Sequence, residues 1–281
     1  MGGIKVMNIF LRKKYEEFLF EDQFFGDIST LLDDFNEIFT GYILVKEDCV
    51  IAGISHVMDI FKMVDRNFKV LELNFRDGDF VSGGKILLKF EGIGGLILKC
   101  ERLILNILQR MSGIATNTKK YVEKLEGTGI KLLDTRKTTP GFRYFEKEAV
   151  RIGGGYNHRM GLYDAAMIKD NHFRILGKDI KKIEKIRRNI PVTSKIEMEC
   201  HSMEDVYKSL EIDVDIIMLD NFSPEEVLKA IKIVNGRREI EVSGGITLGN
   251  IEKYSLEGVN YISTSKVISE AKWIDISLEI D

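Results

Sequence analysis

Asp215-Ile-Ile-Met-Leu-Asp-Asn-Phe-Ser-Pro-Glu-Glu-Val-Leu-Lys-Ala-Ile-Lys-Ile-Val234 holds one complete strand-and-helix unit. The short apolar run ending in Asp220 reads as a buried strand. Ser223 then caps a helix whose first turn begins at Pro224. The pattern recurs on both sides of it. Strands are expected at 130–134, 165–169, 195–199, 215–220, 240–243 and 260–263, with helical patterns between them at 180–188, 203–210 and 224–234. Such alternation implies parallel strands with helices outside. A polar residue closes or follows every strand: Lys137, Lys169, Glu199, Asp220, Ser243-Gly244-Gly245 and Ser263-Thr264-Ser265. A barrel gathers its strand C-termini around one mouth, whereas an open sheet uses mainly the crevice at its switch point. The expected fold is therefore α/β, a (β/α) barrel of six to seven parallel strands.

The residues before the barrel read as a separate mixed unit. A helix is expected over 8–20, and strands over 42–45, 69–75 and 85–90. A second helix, 56–64, has Ser55 as its expected cap. Arg76-Asp-Gly-Asp79 is a turn, and Gly92-Ile-Gly-Gly95 is expected to open a long apolar helix. Ser112-Gly113 is expected to weaken or kink that helix where one unit passes to the next. These readings place an N-terminal α/β sandwich domain at 1–112 and the barrel at 113–268. The tail at 269–281, with its apolar run from Trp273 to Ile280, is expected to rejoin the sandwich.

Composition narrows the functions. The chain of 281 residues is 44% hydrophobic and 30% charged, with a net charge of −3. Duplex nucleic acid is excluded as a partner, since phosphate neutralisation needs an excess of basic charge. No apolar run reaches the ~20 residues needed to cross a bilayer, and charges recur from Lys5, Arg12 and Lys13 onward. The expected location is cytoplasmic. Cys49, Cys100 and Cys200 are far apart and form no CxxC motif, and the four histidines show no zinc-site spacing.

The chemistry concentrates between Asp134 and His172. Arg136, Lys137, His158, Arg159 and Lys169 stand there beside glycine-rich turns, rather than alternating with glutamates along helix faces. Loops on a rigid scaffold that carry several cations suit a small ligand with several negative charges. Arg136 and Arg159 can each grip a carboxylate through two parallel hydrogen bonds. Glu199 and Asp220, on neighbouring strand ends, suit sugar hydroxyls or a hydrated Mg²⁺. A helix-capping role is the alternative for Asp220. Ser243-Gly244-Gly245 lets backbone N–H groups approach a phosphate. The Gly153-Gly-Gly155 run is not a dinucleotide fingerprint, and no ATP-binding loop is present.

These residues carry a resemblance. Thr135-Arg-Lys-Thr-Thr-Pro-Gly-Phe-Arg143, Gly153-Gly-Gly-Tyr-Asn-His-Arg-Met-Gly-Leu162 and Ile168-Lys-Asp-Asn-His172 are similar to the signature of the quinolinate phosphoribosyltransferase family. Gly26-Asp-Ile-Ser-Thr30, Glu101-Arg102, Glu197-Met-Glu199, Leu219-Asp-Asn221 and Ser243-Gly-Gly-Ile246 extend it in order along nearly the whole chain. The resemblance implies transfer of a phosphoribosyl group from phosphoribosyl pyrophosphate to quinolinate, with Mg²⁺, giving nicotinate mononucleotide, CO₂ and pyrophosphate in NAD biosynthesis. It implies that Arg136, His158 and Arg159, with Lys137 and Lys169, hold the two carboxylates. Lys137, Lys169, Glu199 and Asp220 become the catalytic set, with Glu199 and Asp220 serving ribose and metal. Ser243, Gly244, Gly245 and Ser263 become the phosphate cradle. Arg102 would complete the site of a neighbouring subunit, so a homodimer or larger homo-oligomer is implied. Ser263-Thr-Ser-Lys266 departs from the family pattern and is closer to a related group associated with molybdenum transport genes, which is the first alternative. A Schiff-base aldolase using Lys169 is the second, and a binding protein without catalysis the third.

Overall fold

A computed structural model describes residues 8–24, 26–176 and 180–281 of the chain; Lys5 lies outside them. The chain divides into two compact units. One comprises residues up to Thr116 together with Lys272–Asp281, and the other Asn117–Ala271.

The first unit is built on an antiparallel sheet in the order Ile276–Ile280, Ile38–Val45, Lys85–Ile93, Lys69–Leu73. Alternation in Ile38–Val45 turns Gly41, Ile43 and Val45 inward. Phe90, opposite Gly41, packs at a tilt against Phe61 and Phe68. The first helix, Ile9–Asp22, starts at its Asn8 cap and runs two residues beyond the expected end. Ser55 is not the cap of the second helix. That helix begins at Ile54 behind Gly53, whose φ of 109° places it in the left-handed region. Asp77 takes over the capping, because its Oδ1 accepts the N–H groups of Gly53 and Ile54 at 2.7 and 2.9 Å. The strand Lys85–Ile93 also runs through Gly92, so the long helix opens at Gly94.

Ser112-Gly113 does not interrupt that helix, which is continuous over Gly94–Lys124. Ser112 bonds the Ala52 backbone, donating to its carbonyl and accepting from its N–H. Gly113 is there for space: a Cβ would lie 1.7 Å from the Lys272 carbonyl oxygen. Gly113→Ala is therefore expected to lower stability by about 2–3 kcal/mol, the cost of overpacking against backbone, despite alanine's better helix propensity. Thermal unfolding of the variant checks this.

The second unit carries six parallel strands in the order Lys131–Leu133, Tyr261–Ser263, Glu239–Ser243, Ile216–Asp220, Ile196–Cys200, Ala166–Ile168. The first and second strands in sequence are the two edges, so the order is one continuous winding without a switch point. That is the order of a barrel with a seam, in agreement with the expected fold. At the seam Tyr156 forms a parallel bridge to Leu133, donating its N–H to Leu132 O at 2.8 Å. All strands point the same way, and registers such as Ser243 beside Asp220 and Ser263 beside Leu133 bring their C-terminal ends to one rim.

Between strands, the helices Ile180–Asn189, Met203–Glu211 and Pro224–Val234 match the expected pattern. Ser223 and Glu226 form a reciprocal capping box on the last of them. The helix Arg143–Ile152 was not legible: its buried residues mix Glu146 and Lys147, both fully buried, with Phe145, Ala149 and Val150. After Glu239–Ser243 a single 3₁₀ turn, Ile251–Tyr254, stands where an α-helix would complete the repeat.

Candidate active site

Side chains alternate along a strand, so Glu197 and Glu199 share one face of their strand, Met218 and Asp220 one face of theirs, and Glu239, Glu241 and Ser243 one face of a third. The other face carries Met198, Ile217, Leu219, Ile240 and Val242, all buried. The acidic residues thus point to the barrel axis. A cavity of about 520 Å³ opens above them. It is lined by Thr135, Arg136, Lys137, His158, Arg159, Met167, Lys169, Glu199, Met218, Asp220, Ser243 and Ser263.

Nine residues expected at the site therefore converge there. Thr135, Met167 and Met218 join them; the two methionines supply an apolar patch whose only sequence signal was its inward register. Gly244 and Gly245 do not line the cavity. Gly244, at φ 84°, instead lets Asn221 pass beneath it: a Cβ there would stand 2.4 Å from Asn221 Oδ1 and 2.6 Å from Asn221 N. Asn221 itself has φ 61° and donates its side-chain N–H to Asp220 Oδ2 at 2.8 Å, so this contact fixes Asp220. Arg102 belongs to the first unit, where it is exposed and makes no hydrogen bond or ion pair among the described residues.

The cations are held in place but not neutralised. Arg136 and Lys137 form no ion pair among the described residues, and Arg136 Nε is buried without a hydrogen-bond partner. Arg159 donates to Ala165 O at 3.3 Å and touches Met167 Sδ at 3.6 Å, which aims it without cancelling its charge. Burial, and after it the neighbouring Arg136 guanidinium, depresses the Arg159 pKa below its ordinary value. Like charges crowded in one cavity are relieved by an anion. Of these lysines and arginines, Lys169 is the one ion-paired among the described residues, with Glu199.

The loop that carries His158 and Arg159 is tied down by buried charge. Asp134 and Lys147 form an ion pair with both side chains fully buried. Asp134 also accepts from Asn157 Nδ2 at 2.7 Å and from the His158 N–H at 2.8 Å, while Lys147 donates to His158 O at 3.0 Å. Asp164 holds the far end, accepting the N–H groups of Met160 and Gly161 at 2.6 and 3.1 Å.

Beneath the cavity His158 turns Nε2 toward two buried carboxylates, Glu197 Oε2 at 2.9 Å and Glu241 Oε2 at 3.5 Å. Burial opposes charge on the imidazole, but the hydrogen bonds and charges of Glu197 and Glu241 outweigh it and push the His158 pKa up to about 10. Burial, then the Glu241 charge, pushes Glu197 up to about 7. The trio binds a proton more tightly folded than unfolded. The stability this adds is complete below the ordinary values of the groups, and is lost as pH rises through about 7 for Glu197 and about 10 for His158. The thermal unfolding midpoint is expected to fall over that range, with a shallower fall in Glu241→Gln. Calorimetry across a pH series checks this.

Family models for the quinolinate phosphoribosyl transferase N-terminal domain and C-terminal domain match residues 27–112 and 114–279. The chain belongs to the quinolinate phosphoribosyl transferase family. It is 37% identical over 270 residues to a probable nicotinate-nucleotide pyrophosphorylase (carboxylating) of Bacillus subtilis, covering 96% of this chain and 93% of that one. The crystal structure of NadC from Streptococcus pyogenes superposes with a TM-score of 0.90 at 36% identity, covering 99% of this chain and 100% of that one. The nicotinate-nucleotide pyrophosphorylase of Ehrlichia chaffeensis gives 0.89 at 37%, covering 98% and 100%. This chain brings its cations and carboxylates together in one cavity.

Proposed function

We propose that the cavity binds quinolinate on its cationic side and phosphoribosyl pyrophosphate on its acidic side, and joins them. The carrying observation is that Arg136, Lys137 and Arg159, without ion-pair partners among the described residues, line one barrel mouth together with Glu199 and Asp220. The ring nitrogen of quinolinate attacks the anomeric carbon and pyrophosphate leaves. The carboxylate beside the newly cationic nitrogen departs as CO₂, and the carbanion left behind takes up a proton to give nicotinate mononucleotide. A pyridine nitrogen needs no general base, so the main task is to hold two anions together in line. Glu199 and Asp220 stabilise positive charge developing on the ribose, and Lys137 and Lys169 the negative charge developing on the leaving group. Ser243 and Ser263, whose hydroxyls are bonded at 3.0 Å, stand at the 5′-phosphate end with the Gly244-Gly245 backbone.

Glu199 and Asp220 suit Mg²⁺, and His201 adds a third donor; the three ligand atoms lie within 4.8 Å of one another. The ion would neutralise pyrophosphate charge there. Arg102 serves a neighbouring subunit, and the assembly is a homodimer or larger. Support comes from its unpaired guanidinium and from the exposed apolar residues of the same unit, including Phe20, Phe24, Ile28 and Leu31. No helix among the described residues is long and apolar enough to cross a membrane, and a cytoplasmic location fits this reading.

The test is a substrate comparison with phosphoribosyl pyrophosphate and Mg²⁺. Quinolinate is expected to be consumed and nicotinate, with one carboxylate, to be turned over at least about 10²-fold less efficiently, since it leaves a cation unpaired. Equal use of both would overturn the diacid assignment.

A further inference from the structure

The two carboxylates read as metal ligands have an imidazole between them. His201 follows the strand Ile196–Cys200 with the parity of Glu197 and Glu199, so it continues their face rather than that of buried Met198 and Cys200. The register that sets Cys200 beside Leu219 brings it next to Asp220. Its Nε2 stands 3.3 Å from Glu199 Oε1, and its Nδ1 stands 3.4 Å from Asp220 Oδ2. Ligands about 2.0–2.2 Å from one ion stand about 3 Å from each other, so the three groups have the spacing of a single coordination sphere. Their other partners leave donor atoms open. Lys169 takes only Oε2 of Glu199, and Asn221 donates to only Oδ2 of Asp220. The next helix fixes the His201 backbone, whose N–H is donated to Asp205 Oδ2 at 3.3 Å. The side chain is 44% exposed and has room to turn a nitrogen toward an ion.

We infer that His201 decides which divalent ion this site prefers: an imidazole beside two carboxylates takes a first-row transition ion, such as Mn²⁺ or Co²⁺, ahead of Mg²⁺. Mg²⁺ demands oxygen ligands and gives up its water reluctantly, so an imidazole adds little to its binding. Transition ions gain from a nitrogen donor, and Co²⁺ gains more than Mn²⁺. Mg²⁺ remains usable, held by the carboxylates alone. The cluster of His158, Glu197 and Glu241 is also compact enough for an ion. There, however, the carboxylates are buried and His158 Nε2 is already engaged with Glu197, whereas Glu199 and Asp220 line the cavity. The inference rests on the reading of Glu199 and Asp220 as the oxygen ligands of the metal.

The test uses the full chain with each metal alone, at a pH above the ordinary imidazole range. Wild type is expected to bind Co²⁺ at least about 10²-fold more tightly than Mg²⁺, with Mn²⁺ between them. His201→Asn is expected to weaken Co²⁺ binding by about tenfold or more, while Mg²⁺ binding stays within about threefold of wild type. A residue that merely held the two carboxylates in place would, when replaced, weaken all three ions alike. Pulsed EPR of bound Mn²⁺ is expected to show coupling to a directly bound imidazole nitrogen in wild type and none in the variant. Nitrogen coupling that survives in His201→Asn puts the ion at another histidine and overturns the inference. Equal affinities for Co²⁺ and Mg²⁺ in wild type, or an equal loss of both in the variant, also overturn it, and both leave the carboxylates as metal ligands. If none of the three ions binds wild type, the metal reading of Glu199 and Asp220 fails and the inference with it, an outcome told apart because it precedes any variant. If His201→Asn does not fold, His201→Gln carries the same comparison.

Discussion

Arg159→Ala is expected to lower kcat/KM for quinolinate by about 10³-fold, with the unfolding midpoint little changed. Arg159 presents a planar fork to the cavity, and the removed interaction is a pair of charge-assisted hydrogen bonds to a carboxylate. At about 1.5–3 kcal/mol each, two such bonds amount to about 4 kcal/mol, or about three decades in rate. Stability is spared because Arg159 shares its space with Arg136, and losing one of two crowded cations relieves repulsion. Arg159→Lys is expected to recover less than a tenth of the loss, since an ammonium cannot supply the paired geometry. Steady-state kinetics with each substrate varied separately provide the check. A variant that loses affinity for phosphoribosyl pyrophosphate instead of quinolinate would place the guanidinium at the wrong end of the cavity.

Gly244→Ala is expected to have the second largest effect, and it acts on the opposite side. The new methyl group would meet the backbone and side chain of Asn221 at 2.4–2.6 Å. Neither can give way cheaply, because Asn221 holds a left-handed conformation and donates its backbone N–H to Ser243 O at 2.9 Å. Alanine at φ 84° adds a penalty of about 1–2 kcal/mol. The loop must therefore shift, taking Asp220 with it. A displacement of about 1 Å at a reacting centre costs about 10²-fold, so kcat/KM for phosphoribosyl pyrophosphate is expected to fall by about that factor, with quinolinate affinity nearly retained. Gly245→Ala is the control. Its φ is also positive, but its Cβ would meet Asn221 only at 4.0 Å, and a milder loss is expected.

The barrel was legible because each strand is a short apolar run that stops at a polar residue, and parallel pairing brings all those stops to one rim. Lys169, Glu199, Asp220, Ser243 and Ser263 were found in this way. What escaped had partners remote in sequence. Asp77 caps a helix that starts 23 residues before it, at Ile54, and no local pattern could place it there. Lys147 reads as a surface residue until Asp134 appears beside it in the core. Gly244 was given a phosphate-binding reason from its neighbours, while the structure adds a steric one. Glu241 left a signal that was passed over: acidic residues alternating with Ile240 and Val242 in a strand flanked on both sides by others have to point somewhere dry.

The central claim is that one cavity couples transfer of the phosphoribosyl group to loss of a single carboxylate. The most direct measurement follows carboxyl-labelled quinolinate with the purified protein, quantifying nucleotide, CO₂ and pyrophosphate together. The account predicts the three in equal amounts, and no CO₂ when phosphoribosyl pyrophosphate is left out. Nucleotide formed without CO₂, or CO₂ released from quinolinate alone, would contradict it.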